Sequence, residues 1–215
     1  MTNDMRVMGL ALGLTVTILG LGISDARAQR AATGPPDWPC VQRLVPELAW
    51  GTIWTGQSPE ALERSWWEDE EVGRVVRFAT ARKTPRDEAL ERVRGFVAQV
   101  ANQPEAEREE RLTLLFAGLF ERVNRERSRV IERIRSASRG QVKRLDRLTE
   151  LVDELEARRA SSDTSADDIE QLRQELHWEQ RTFEKRQQLL PVLCEKPALL
   201  EEELSRMVRA IRAEL

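Results

Sequence analysis

The chain has 215 residues, a third of them charged, with 30 Arg against 4 Lys, 37 acidic residues, 6 Trp, no Tyr, 1 His, 2 Cys and a formal net charge of −3. That length suits one small domain or two. The near-balanced charge excludes a global basic field for nucleic acid. The Gly, Pro and Cys counts exclude collagen-like and disulfide-dense scaffolds, and two cysteines exclude the usual structural zinc site.

Residues 1–28 read as a secretory signal. Met1 to Arg6 is a short, weakly basic start, residues 7–23 are uncharged and rich in Leu, Val and Ile, and Ala26-Arg27-Ala28 gives the small-x-small cleavage pattern. Cleavage after Ala28 is expected, with an uncleaved signal anchor as the alternative, since a run of this length just spans a bilayer. No second run is long enough to span, so the expected compartment is the periplasm or the exterior. Oxidising conditions there let Cys40 and Cys194 pair; a buried pair of free thiols and an intermolecular bridge are the alternatives.

Residues 29–57 form an irregular arm. Gly34-Pro35-Pro36-Asp37-Trp38-Pro39 breaks regular structure, and Gly51 and Gly56 accompany Trp50 and Trp54. Ser58-Pro59-Glu60 is a helix-start signal, with proline at the first helical position, and predicts a short helix to about residue 67. From Asp69 to Arg82, the spacing of Val72, Val75, Val76 and Ala79 gives a helical stripe. Thr84-Pro85-Arg86-Asp87 is a second start, with Asp87 placed to return a bond to the Thr84 backbone. The helix it opens carries Leu90, Val93, Phe96, Val97 and Val100.

Residues 105–159 keep a helical period throughout. Leu112, Leu115, Leu119, Val123, Val130 and Ile134 define a seam that Leu145, Leu148, Val152 and Leu155 resume. One long helix is expected, with a break near Gly140 as the alternative. Residues 161–167 make a polar turn, and Ser165 with Asp168 gives a third capping pattern. Ile169, Leu172, Leu176, Phe183 and Leu190 form the answering stripe of a helix to about residue 190. Two such stripes joined by a short turn predict an antiparallel coiled-coil hairpin with its tip near Asp163. Pro191 and Pro197 are expected to break the chain before a closing helix that buries Leu200, Leu204, Met207, Val208 and Ile211. The fold class is all-α: a helical base over residues 58–135, a hairpin over 136–190 and a closing segment over 191–215.

Chemistry is sparse. His177 sits alone in a helix, nothing singles out a pair of carboxylates, and calcium-loop spacing is absent, so no catalytic residue, metal or cofactor is expected. Trp66-Trp67 followed by four acids reads as a helix end covering the core, with a cation or basic-ligand site as the alternative. Trp50, Trp54, Trp66 and Trp67 belong to a cluster that either closes the core or offers anchors to a partner. Residues 122–147 hold ten basic residues against three acids, a local charge of +7. Arg122, Arg125, Arg129, Arg133, Arg139 and Arg144 are the candidate contacts there for an acidic partner, an anionic polymer or lipid head groups, set against a solvated face neutralised within the fold.

The function expected is a non-enzymatic interaction protein of the cell envelope: adaptor, assembly factor or chaperone-like. A helical sensor using residues 66–71 is the runner-up, and a cell-wall enzyme the remote third. A homodimer is one way such a seam completes itself; no nucleic-acid partner and no membrane span after signal removal are expected.

Overall fold

The computed structural model describes residues 34–215, so the expected signal, its cleavage site and the first residues of the arm lie outside what is described. The described residues contain four α-helices, two short 3-10 turns at Trp50–Thr52 and Pro59–Ala61, and no strand. Helix α1 (Glu70–Ala79) is capped by Asp69, whose Oδ1 accepts from the backbone N–H of Glu71 at 3.1 Å and of Val72 at 3.0 Å. Helix α2 (Arg86–Val100) begins after Pro85 without a side-chain cap. The expected Thr84–Asp87 exchange is not made, because the Thr84 backbone N–H donates to the Ala81 carbonyl at 3.0 Å and its hydroxyl to the Phe78 carbonyl at 2.8 Å, closing the α1–α2 connection.

Helix α3 (Glu105–Ala160) is continuous through Gly140, and at 1.5 Å per residue it is about 84 Å long. Ser165 caps α4 (Ala166–Arg212) by accepting from the Asp168 N–H at 3.1 Å, as its spacing predicted. The α3–α4 contact is the most extensive between elements, and the turn between them forms the tip of an antiparallel hairpin.

Three further expectations are corrected. The helix expected over residues 58–67 is only the turn Pro59–Ala61, after which Leu62 is extended. So short a segment cannot hold a helix without packing. Its two partly buried apolar residues, Leu62 and Trp66, pack on the core separately, and Trp66 is laid against Gly118, where a Cβ would come within 2.9 Å of the indole and 2.7 Å of Val76.

Pro191 and Pro197 do not break the chain: both lie inside α4. Each removes a backbone donor and costs roughly 3 kcal/mol in a helix interior. Continuity is kept because apolar groups on both sides pack along the same α3, Leu172 toward the tip and Leu204, Met207, Val208 and Ile211 in the base.

The seam is also rotated. Leu151 and Leu155 are buried against Leu172, whereas Leu145 and Val152 are exposed. The buried positions keep a seven-residue repeat, with Ile134, Gln141 and Leu155 in one register and Val130 and Leu151 in the other, whereas Leu145 and Val152 follow the 3.6-residue period of a straight helix from Ile134 and fall outside the seam.

The main core lies in the base, where Val72, Val76, Val93, Phe96, Leu112, Leu115, Phe116, Leu119, Leu204 and Ile211 draw on all four helices. Both long helices therefore run from the base to the tip.

Candidate functional site

The aromatic-acid segment is built around a buried arginine. Arg111 on α3, 9 % exposed, donates to Asp69 Oδ2 at 3.1 Å and to Glu71 Oε2 at 2.6 Å, and its guanidinium lies 5.0 Å from the centre of the Phe96 ring. Burial raises the Asp69 carboxyl, but the Val72 N–H and the Arg111 charge outweigh it and hold the group below its ordinary value. The hydrogen bond from Arg111 likewise holds Glu71 low. Burial lowers the Arg111 guanidinium, and its two carboxylate partners reverse this and raise it. Both acids thus meet a cation within the chain.

The tryptophans divide by environment. Trp54 is 3 % exposed and stacks on Phe116 with ring centres 4.2 Å apart, its Nε1 donating to the Gln57 carbonyl at 2.8 Å. Trp66 packs against the same core and donates to Glu121 Oε2 at 2.8 Å, while Trp50 packs at its margin and donates to Glu60. Trp67 is exposed, edge-on to Trp66. His177 is exposed on α4. Among the described residues, no group of three or more His, Cys, Asp or Glu side chains converges as a metal site requires.

The first residues of the described arm are held by a disulfide and an ion pair. Cys40 and Cys194 are bonded, with Cα atoms 5.5 Å apart across a separation of 154 residues, and they pack with Val130 and Ile134. Asp37 accepts from Arg135 at 3.0 Å and Arg139 at 2.6 Å, and the Arg135 bond leads in holding its carboxyl low.

Most of the basic stretch is engaged in this way. Arg125 pairs with Glu121, Arg129 with Glu126, Arg139 with Glu132 and Asp37, Arg144 with Glu179 across the hairpin, and Arg147 with Glu150 and Glu175. Arg127, which the sequence did not single out, is 4 % exposed and joins Glu201 at 2.5 Å and the Pro46 carbonyl at 3.2 Å, tying arm, α3 and α4 together. Of the candidate arginines, only Arg122 and Arg133 have no carboxylate partner among the described residues; Arg122 donates to Thr80 Oγ1 at 3.2 Å.

Both of those line a cleft of about 600 Å³ between the α1–α2 connection, α3 and α4, which nothing in the helical pattern foretold. A pocket formed by three elements distant in sequence leaves no periodic trace. Elsewhere the hairpin exposes large apolar groups. Val142 and Leu145, one turn apart on α3, are 57 % and 53 % exposed, and Trp178 on α4 is 69 % exposed. No family model, curated protein or solved structure matches the chain.

Proposed function

We propose that this chain is an exported, non-enzymatic interaction protein of the bacterial cell envelope, acting as an adaptor, assembly factor or chaperone-like component through its helical hairpin. The observation that carries the reading is the exposure of Val142 and Leu145 on α3, beyond the disulfide-stapled base. Full burial of such a side chain contributes about 1.5–3 kcal/mol and roughly half of each remains exposed, so a protein partner covering both gains about 1 kcal/mol from each. Export is supported by the signal-like first 28 residues and by the bond between the chain's two cysteines. Among the described residues, no helix is long and apolar enough to cross a membrane.

The test is photocrosslinking in intact cells, with a photoreactive residue placed at 142, at 145, or at Arg74 on the exposed side of α1. A discrete adduct with one envelope protein from the two hairpin positions, absent from position 74, is expected. Adducts at the mass of two copies of this chain identify a homodimer as the partner. No adduct from the hairpin, or equal labelling at all three positions, contradicts the reading.

A further inference from the structure

We infer that the cleft beneath the α1–α2 connection is a binding site for a small single-chain amphiphile with an anionic head group. Its walls come from residues 79–86, from α3 and from α4, and its volume, about 600 Å³, falls within the usual ~300–1,000 Å³ of small-molecule sites. The floor is apolar, with Val123, Val130 and Met207 almost wholly buried and Leu199 and Leu200 at the side. The rim is cationic.

Five basic side chains, Arg82, Arg86, Arg122, Arg133 and Lys196, line the cleft against two acids, Glu126 and Glu203. Those two acids are taken by Arg82, at 2.8 Å, and by Arg86. Arg122, Arg133 and Lys196 are left without a carboxylate partner among the described residues. This contrasts with their neighbours on α3, where Arg125, Arg127, Arg129, Arg135, Arg139, Arg144 and Arg147 each have one. An apolar floor joined to three uncompensated cations complements one ligand chemistry: an alkyl chain lying on the valines, with a carboxylate or phosphate turned to the rim. A free anion does not use the floor, and a neutral alkyl chain does not use the rim.

The site is independent of the hairpin's partner surface. Its test is calorimetric titration of the full chain with decanoate and decyl phosphate below their micellar concentrations, decanol below its solubility limit, and inorganic phosphate. One equivalent of decanoate or decyl phosphate is expected to bind, with decanol and inorganic phosphate at least tenfold weaker. The relative affinity of the first two tells a carboxylate head from a phosphate head. Arg122→Gln/Arg133→Gln/Lys196→Gln should lose at least tenfold in affinity while its urea midpoint stays at that of the parent, and Leu199→Gln, at the wall, should weaken binding through the apolar part alone. Equal binding of decanol, equal binding of inorganic phosphate, or decanoate affinity unchanged in a folded triple variant overturns the proposal.

Discussion

At the scale of single residues, the base depends on a few contacts that a helical stripe does not announce. Arg111 joins the capping residue of α1 to α3, and removing one partner of a buried pair strands the charges that remain. Arg111→Met is therefore expected to cost about 3 kcal/mol in urea unfolding, more than the loss of a surface ion pair. The pH dependence follows from the same carboxylates. Asp37, Asp69 and Glu71 are held low in the folded chain, so their contribution is fully present above the unfolded carboxylate range and is lost as the pH falls through the folded values. The melting temperature should stay flat from pH 7 to about 5 and fall below about 4, and the fall should be shallower in Asp69→Asn/Glu71→Gln. Asn keeps the cap while removing the charge. Gly118 is the other exacting position: a methyl group there would overlap Val76 and Trp66, so Gly118→Ala should destabilise by about 1–3 kcal/mol despite its better helix propensity.

At the scale of elements, the sequence was legible where one face repeats and illegible where a tertiary contact overrides the local signal. The long α3, the Ser165 cap and the tip at residues 161–165 were readable because stripe, cap and polar turn agree. The prolines of α4 were misread because their local effect is real but smaller than the packing on either side. Pro191 is exposed, so Pro191→Ala restores the missing backbone donor without opening the core. It should raise stability by about 1–3 kcal/mol, read from the urea midpoint. A chain that broke at this proline would lose stability on the same change. Leu151 was passed over for Val152 because the expected seam stepped from Ile134 to Leu145, whereas the buried positions keep a seven-residue repeat that runs from Val130 to Leu151 and from Ile134 to Leu155.

At the scale of the whole molecule, the disulfide and the hairpin do separate work. The bond spans most of the chain, and constraining so long a loop stabilises by roughly 2–5 kcal/mol. Cys40→Ser/Cys194→Ser should lower the urea midpoint accordingly and speed tryptic cleavage after the exposed Arg43 of the arm. The pairing was readable from two cysteines and a signal-like start. The arm's ion pair, Asp37 between Arg135 and Arg139, was not, because an ion pair across nearly a hundred residues leaves no local pattern. The same is true of the cleft and of the self-neutralised basic stretch: sequence showed the charge, and only the fold showed which arginines were spare.

The claim beneath the functional reading is that α3 and α4 lie side by side out to the tip. Pulsed electron spin resonance between labels at the exposed Thr149 and Arg173 measures it directly. Paired helices 8–10 Å apart place these labels within about 20 Å of each other, whereas helices continuing end to end would hold them some ~36 Å apart or more. A single short distance is the expected result, and a dominant distance in the longer range contradicts the hairpin and the partner surface built on it.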